Sequence, residues 1–382
     1  MTPLSLDFVS GQVLTPDGLI EARLSLADGM VSNAATGHEV DLSGYLILPG
    51  IVDLHGDGFE RHLAPRRGAM TNMNEGVIAA EAELAANGIT TAVMAQFYSW
   101  EGGLRSPEFA ARVMAAIREA RPQVVTDLLP QLRFETHMLD HYTGLPALLQ
   151  DWDVRYLVFN DHLPHDRLAQ GKKPPRLTGQ ALKAGRNPDR HFEMLLDLHA
   201  NSAEVPDALD RLCERLSGQG LHLGSHDDRD ALTRSLWRDR GVSIAEFPET
   251  LEVAEAAHAA GDGIIMGSPN LVRGGSHKGN VSALDVVAMG HCDALASDYH
   301  YPSPRRAALM LAQTGVMDLA GAWALISQGP ARVLGLNDRG TLTPGKRADV
   351  VILDNDTKRV AATLSGGRVS FMSGDIAGRF LN

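Results

Sequence analysis

The sequence has few cysteines, no long apolar run and no excess of basic residues. Its two cysteines, Cys213 and Cys292, stand far apart and form no C-x-x-C pair, which excludes a disulfide framework and a zinc finger. No uninterrupted apolar run of about 20 residues occurs, as a membrane-spanning helix would need, and the first residues do not have the pattern of a secretory signal. The net charge of −12 argues against a nucleic-acid or anionic-membrane partner. We therefore expect a cytoplasmic protein.

The length of the chain, its composition and its short β-like runs predict an α/β fold with two parts. A hydrophobic content of 44% with 21% charged residues is typical of a globular protein with a large core. A closed barrel of about 250 residues and a smaller module would together account for 382 residues. Short β-like runs with Gly and Asp turns occur at both ends of the chain. We predict a (β/α)8 TIM-type barrel over residues 48–335, inserted into a small β-sandwich domain built from residues 1–47 and 336–382.

Strand-like and helix-like patterns alternate through the predicted barrel, as expected for parallel β/α units. Helical patterns cover 72–86, which Gly88 ends, and 107–120, and a further helix is expected over Asn280–Met289. The predicted barrel strands are 46–54, 89–95, 128–135, 154–160, 221–224, 242–245, 264–266 and 294–296.

The polar residues at the ends of these strands carry the chemistry. His55 and Asp57 follow the apolar stretch LILPGIVDL as a His-x-Asp pair, which aims an imidazole and a carboxylate into one space. In a parallel barrel all strand ends share one face, where active sites form. Four more strands end in a His or a carboxylate in the same way, giving the predicted ligand set His55, Asp57, Glu135, His162, His226 and Asp298.

This composition predicts two divalent metal ions that share a bridging carboxylate and lower the pKa of a bridging water to about 7. Zinc is the first expectation, and manganese or iron also suits mixed His and carboxylate ligands. Spacing leaves open whether Glu135, Asp57 or Asp298 is the bridge. Asp298, on the last strand, is the predicted catalytic proton acceptor.

Several longer motifs resemble one known family. They are HGDGFERHLAPRRG (55–68), SHDD (225–228), IAEFPET (244–250), MGSPNLVRGGSHKGNV (266–281), SDYHYPS (297–303) and the C-terminal GTLTPGKRADVVILD. With these the chain resembles the amidohydrolase superfamily and, within it, the α-D-ribose 1-methylphosphonate 5-triphosphate diphosphatase family of phosphonate breakdown. Most amidohydrolases carry His-x-His and often a carboxylated Lys bridge, whereas this chain has His55 with Asp57, as the diphosphatase family does, and Glu135. The segments GAMTNMNEGV and Gln96–Trp100 differ from that family's usual sequence.

The resemblance implies a metal-dependent hydrolase that converts the ribose phosphonate triphosphate to the 5-phosphate and pyrophosphate. The alternative is an amidohydrolase that cleaves a C–N bond of an amide, a cyclic amide or an amino-heterocycle with the same metal centre. A non-catalytic metal-binding or scaffold protein is disfavoured, because a full ligand set and a proton acceptor are present.

A polyphosphate substrate requires local positive charge and polar donors in an acidic protein. Glycines in RGGSHKG allow backbone N–H groups to approach a phosphate. For Arg66 and Lys172 a solvated surface is the competing interpretation, and for His137 it is a hydrogen bond to a metal ligand. We expect a small-molecule substrate, and self-association stays open. The predicted substrate-binding residues are Arg66, His137, Lys172, Asp227, Asn270, Arg273, Ser276 and His277.

Overall fold

The computed structural model describes residues 2–64, 72–275 and 279–381. The strands within these ranges have between three and ten residues. They are β1 (Leu6–Val9), β2 (Gln12–Thr15), β3 (Gly18–Glu21), β4 (Leu24–Ala27), β5 (Met30–Ser32), β6 (Glu39–Asp41), β7 (Tyr45–Pro49), β8 (Ile51–Gly56), β9 (Ile89–Tyr98), β10 (Asp127–Glu135), β11 (Tyr156–Asn160), β12 (His222–His226), β13 (Ile244–Glu246), β14 (Gly263–Gly267), β15 (Ala294–Ala296), β16 (Val350–Asp354), β17 (Val360–Ser365) and β18 (Arg368–Met372).

Helices separate most of the central strands. In the described part of the chain they are α1 (Glu60–Leu63), α2 (Met73–Ala86), α3 (Pro107–Ala120), α4 (Leu145–Asp151), α5 (His165–Ala169), α6 (Leu177–Lys183), α7 (Pro188–Ala200), α8 (Val205–Leu216), α9 (Ala231–Asp239), α10 (Leu251–Ala260), α11 (Ser268–Arg273), α12 (Ala283–Ala288), α13 (Ser303–Gln313), α14 (Leu319–Ala324), α15 (Gln328–Val333) and α16 (Ile376–Arg379). None of these helices is both long and apolar enough to cross a membrane.

The strands at the two ends of the chain form a two-layered β structure, as predicted. A four-stranded sheet has the order β5-β4-β1-β6, and a six-stranded sheet, β18-β17-β16-β7-β2-β3, combines strands from both termini. Phe8 and Leu26 of the first sheet share one buried core with Ile47, Val350 and Leu364 of the second. Apolar residues facing each other across two sheets hold such a sandwich together.

Strands β8 to β15 form an eight-stranded sheet whose order follows the chain. The pairs β8–β9 and β10–β11 are parallel, and every residue of β8 and β9 is buried, as expected for parallel strands with both faces covered. The first and last strands meet through a parallel bridge between Gly56 and Asp298. This is the predicted (β/α)8 barrel, and each of the eight predicted strands overlaps one of its strands.

One predicted strand is wrong in its bounds. The apolar run 46–54 was expected to be a single barrel strand, but β7 belongs to the six-stranded sheet and β8 to the barrel. The chain changes sheets at Gly50, where an added Cβ would lie 2.3 Å from Thr90 Oγ1 and 2.9 Å from Asp349 Cβ. Only glycine fits this close approach, so the hydrophobic run continues while the strand ends.

Of the three helices predicted from the sequence, two are confirmed and one is shorter than expected. Helix α2 begins at an Asn72 cap and ends near Gly88, whose φ of +86° is the left-handed conformation that favours glycine. Helix α3 has the predicted bounds. The helix expected from Asn280 is shorter, because Ser282 caps it and α12 begins only at Ala283.

The chain forms two compact units. Unit 1 comprises Met1–Met94, Ile117–Leu129 and Gly263–Asn382, and unit 2 comprises Ala95–Ala116 and Pro130–Asp262. Unit 1 holds the two terminal sheets with β8, β14 and β15, and unit 2 holds β11, β12 and β13. The predicted domain bounds at residues 47/48 and 335/336 stay a prediction.

Candidate metal centre

Unit 1 brings three of the predicted ligands together. His55 lies near the end of β8, Asp57 follows that strand, and Asp298 follows β15. The Asp298 N–H donates to the His55 carbonyl at 2.9 Å, and the Asp57 N–H donates to the Asp298 carbonyl at 2.9 Å. One ligand atom from each of the three side chains lies within 4.8 Å of the others. The backbone therefore fixes an imidazole and two carboxylates around one point.

A buried carboxylate beside this group holds the two strands in place. Asp53 of β8 accepts hydrogen bonds from the Ser297 N–H at 2.8 Å and from the Ser297 hydroxyl at 2.5 Å. Burial raises the pKa of Asp53, although the Ser297 hydrogen bonds oppose that shift. Asp298, the next residue, has a φ of +55°, a conformation that Asp and Asn adopt more readily than most side chains.

The donor set of this group suits a divalent metal ion. Neutral imidazole and ionised carboxylates are ordinary ligands for zinc, manganese and iron. His55 is fully buried, and Asp57 and Asp298 are partly buried. These residues fit the metal that the sequence predicted, and the identity of that metal stays a prediction.

Unit 2 contains a second group around Glu135, at the end of β10. One Glu135 oxygen bonds to His162 Nδ1, and the other accepts from the His162 N–H and from Trp100 Nε1, both at 3.2 Å. Because a carboxylate accepts, Nδ1 carries the proton, and in the neutral ring Nε2 would be the nitrogen with a lone pair for a metal. A carboxylate that orients a histidine in this way is common behind a metal ligand. Whether Glu135 itself binds or bridges metal ions stays a prediction.

Glu101 joins this second group without having been predicted. It offers a carboxylate oxygen within 4.8 Å of ligand atoms of Glu135 and His162, and it also accepts from Arg105 Nη1 at 2.7 Å. In the sequence only its position marks Glu101, because it directly follows the segment Gln96–Trp100, which differs from the usual sequence of the diphosphatase family.

His226, at the end of β12, lies between two buried charged residues. Its Nδ1 is 3.1 Å from a Glu246 oxygen, and its Nε2 is 2.9 Å from Arg133 Nη2. Burial, helped by the charge of Arg133, lowers the pKa of His226 to about 4, so the ring is neutral at pH 7, as a metal ligand must be. Since Arg133 can only donate, Nε2 accepts that hydrogen bond, and an ion bound there would have to displace it.

Neither of these charged neighbours was predicted from the sequence. Glu246 also accepts from Tyr156 Oη at 2.6 Å and from Gln131 Nε2 at 2.9 Å, and burial together with Glu246 raises the pKa of Tyr156. The Arg133 guanidinium lies over the Phe97 ring at 3.9 Å. Both are charged residues of buried strands, and because charged residues are rarely buried unless paired, they could have been recognised as members of a buried polar group.

The predicted substrate-binding residues are found in different surroundings. Lys172 is exposed and donates to Gln170 Oε1 at 2.7 Å. Asn270 accepts from the Ala283 N–H at 3.2 Å, a contact that connects α11 to α12. Arg66, Ser276 and His277 lie outside the described residues.

Two other predicted substrate-binding residues, His137 and Asp227, lie in unit 2, each near a side chain of the opposite type. His137 is 3.6 Å from an Asp161 oxygen. Asp227, with a φ of +57°, has an oxygen 3.6 Å from His226 Nε2. Asp227 and His226 line a cavity of about 450 Å³ in unit 2. Their binding roles stay predictions.

Two arginines of unit 1 reach the residue that follows Asp298. Arg273 Nη1 donates to the Tyr299 hydroxyl at 2.7 Å, and Arg61 Nη1 donates to the Tyr299 carbonyl at 3.3 Å. Arg61 also pairs with Glu83. Tyr299 is 44% exposed, so this cationic group lies at the surface of unit 1, one residue along the chain from Asp298.

The sequence of this chain is similar to one family model and to several known hydrolases. Residues 287–371 match the model of the Amidohydrolase family. The chain is 32% identical over 359 residues to alpha-D-ribose 1-methylphosphonate 5-triphosphate diphosphatase of Escherichia coli (strain K12), covering 91% of this chain and 92% of that protein. It is 26% identical over 389 residues to an adenine deaminase of Brucella abortus (strain 2308), covering 95% of this chain and 55% of that protein.

A solved structure extends the comparison to the fold. The N-acetylglucosamine-6-phosphate deacetylase from Pasteurella multocida superposes with a TM-score of 0.62 at 12% identity, over 96% of this chain and 99% of that chain. Its similarity agrees with the barrel described above and says nothing about the substrate of this chain.

Proposed function

This chain belongs to the amidohydrolase superfamily, and from that premise we propose that it hydrolyses α-D-ribose 1-methylphosphonate 5-triphosphate to the 5-phosphate and pyrophosphate. Support comes from 32% identity to a diphosphatase with that name over 91% of the chain and from the His-x-Asp pair at the end of β8. The broader activity, hydrolysis by a superfamily member, does not depend on this choice of substrate.

We propose that the predicted six residues hold two divalent ions. They are His55, Asp57, Glu135, His162, His226 and Asp298. When bound, the ions would lower the pKa of a water and offset phosphate charge. The donor groups of unit 1 and of unit 2 support this assignment separately, because each contains at least one imidazole and one carboxylate within 4.8 Å.

Asp298 is the proposed proton acceptor of the reaction. Two backbone hydrogen bonds fix its main chain against His55 and Asp57, so the side chain starts from a fixed position beside the other two ligands. A carboxylate held beside the attacking water can take its proton and return it to the leaving group.

The observation that favours a phosphate substrate is the pair of arginines at Tyr299. Guanidinium groups bind phosphate oxygens through two parallel hydrogen bonds, and Arg61 and Arg273 both reach the residue next to Asp298. Because Arg61 is already paired with Glu83, Arg273 is the cation that a phosphate would engage first, and the neutral base of a deamination reaction would have no need of it.

A second candidate function is deamination of an amino-heterocycle. The 26% identity to an adenine deaminase over 95% of this chain favours it, and the same metal centre would serve it. The two candidates differ in the charge of the substrate, which an experiment can test.

The test replaces Arg273 by Gln and measures pyrophosphate release from the triphosphate and ammonia release from adenine. A hydrogen bond to a charged group is worth about 1.5–3 kcal/mol, so KM for the triphosphate should rise about 10- to 150-fold with a smaller change in kcat. Tyr299→Phe removes the contact to Arg273 but keeps the charge, and should have a much weaker effect. Arg23→Gln, at an exposed ion pair with Glu39, is the matched control and should change nothing.

Three results would count against the phosphate assignment. They are adenine turnover without triphosphate turnover, an unchanged KM in Arg273→Gln, and an equal effect of Arg23→Gln. The first of these would support the deaminase candidate instead.

A further inference from the structure

A second cluster of metal-ligating side chains lies in unit 2, apart from the predicted ligand set. Asp161, which precedes His162, bonds to His165 Nε2 through both of its oxygens, at 3.0 and 3.2 Å. His137 Nδ1 lies 3.6 Å from the Asp161 carboxylate. One ligand atom from each of these three residues lies within 4.8 Å of the others.

We propose that His137, Asp161 and His165 form an additional zinc site, independent of the hydrolytic metal centre. In a tetrahedral zinc site with bonds of about 2.0–2.2 Å, neighbouring ligand atoms are about 3.3–3.6 Å apart. The distances between Asp161 and the two histidines, from 3.0 to 3.6 Å, fall close to that range. Small side-chain movements would therefore place a zinc ion between the three groups.

The outer partners of the two histidines support this assignment. A zinc-bound histidine usually has its other ring nitrogen held by a further hydrogen bond. His137 Nε2 is 3.2 Å from the Ser202 hydroxyl, and His165 Nδ1 is 2.9 Å from His199 Nδ1. The nitrogen of each ring that faces Asp161 is the one that a metal would bind. For His137 this is Nδ1, which also lies 3.3 Å from the Thr136 hydroxyl, so a bound ion would replace that contact.

The surroundings leave room for a fourth ligand. The His137 side chain is only 4% exposed, whereas that of Asp161 is 43% and that of His165 is 31% exposed. Asp161 and His165 also line the cavity of about 450 Å³ in unit 2. Water can reach the proposed ion from this cavity, so two imidazoles, one carboxylate and one water would complete the coordination.

The site would connect separate elements of unit 2. His137 follows β10, Asp161 follows β11 and His165 begins α5. Zinc would thus fix two strand exits to the first turn of a helix. None of these three residues belongs to the ligand set predicted on the barrel strands, and Asp161 directly precedes the predicted ligand His162 in the chain.

The test is zinc stoichiometry and affinity of the full-length protein, measured by titration calorimetry and by elemental analysis after dialysis. His165→Gln should bind one zinc equivalent fewer per chain than the wild type, and Asp161→Asn should weaken that equivalent at least tenfold. His38→Gln, at an exposed position of unit 1, is the matched control and should bind zinc as the wild type does. Equal stoichiometry and affinity in wild type and His165→Gln would overturn the proposal.

Diffraction from zinc-soaked wild-type crystals decides the matter if a variant fails to fold. An anomalous peak among His137 Nδ1, the Asp161 carboxylate and His165 Nε2 would support the site. A peak at the predicted barrel ligands with none in this cluster would overturn it. Neither readout requires turnover, so failure of the proposed hydrolysis would not affect the result.

Discussion

Replacement of Asp298 by Asn separates the chemical role of this carboxylate from its structural role. The Asp298 backbone donates to His55 and accepts from Asp57, and neither contact involves the side chain. Its φ of +55° is also accessible to Asn. We therefore expect the variant to fold like the wild type and to keep an amide oxygen near the metal ligands.

The expected loss is in turnover. An amide oxygen cannot accept the proton of the attacking water, and general-base catalysis typically contributes 10²- to 10⁴-fold, or about 2.7–5.5 kcal/mol of activation free energy. We therefore expect kcat to fall by at least about 10²-fold. Metal content per chain should fall by much less, because the other predicted ligands are untouched.

Two further variants control for the backbone. Asp28→Asn changes an exposed aspartate with a φ of +52° in the terminal sheets, and it should leave kcat and stability unchanged. Asp298→Ala should lose activity too but should also be destabilised by about 1–2 kcal/mol, since Ala disfavours the left-handed conformation.

The assays are initial rates at saturating substrate, metal content by elemental analysis, and urea unfolding of each variant. Wild-type kcat in a fully metal-loaded Asp298→Asn would refute the proton-acceptor role. Loss of both metal and activity would assign Asp298 to metal binding alone.

Three more predictions concern the surroundings of the site and the fold. Trp100→Phe removes a donor to Glu135, so metal affinity should fall about tenfold; unchanged affinity by competition with a chelator would contradict that role. Gly50→Ala should cost about 1–3 kcal/mol in urea unfolding because its Cβ has no space, whereas Gly179→Ala, with nothing within 4 Å, should not destabilise. In the metal-free protein the pKa of His226 is about 4, below the ordinary value of 6.5. The contribution of His226 to the free energy of unfolding should therefore be complete above pH 6.5 and decline toward pH 4. A His226→Asn variant whose urea midpoint has the same pH dependence as the wild type would exclude this contribution.

The sequence was most informative where a polar residue interrupts an apolar strand. His55, Asp57 and Asp298 stand at such interruptions, and unit 1 brings them within 4.8 Å. The parallel barrel makes this possible, because strands that are distant in sequence end on one face. Glu135 and His162 follow the same rule and bond to each other.

Other features depend on contacts that a linear pattern does not contain. The strand break at Gly50 arises from the approach of Thr90 and Asp349, while the local sequence stays hydrophobic. Arg133 lies inside β10 and Glu246 is the last residue of β13, and neither position in the sequence indicates a contact with His226. The pattern around Asn280 predicted a longer helix because it gave no weight to Ser282 as a cap.

The most direct test of the proposed reaction is phosphorus NMR of the metal-loaded enzyme with ribose 1-methylphosphonate 5-triphosphate in ¹⁸O-labelled water. We expect pyrophosphate and a 5-phosphate that carries the label, and both signals should disappear when a chelator removes the metal. An unchanged spectrum from enzyme that holds two metal ions per chain would contradict it.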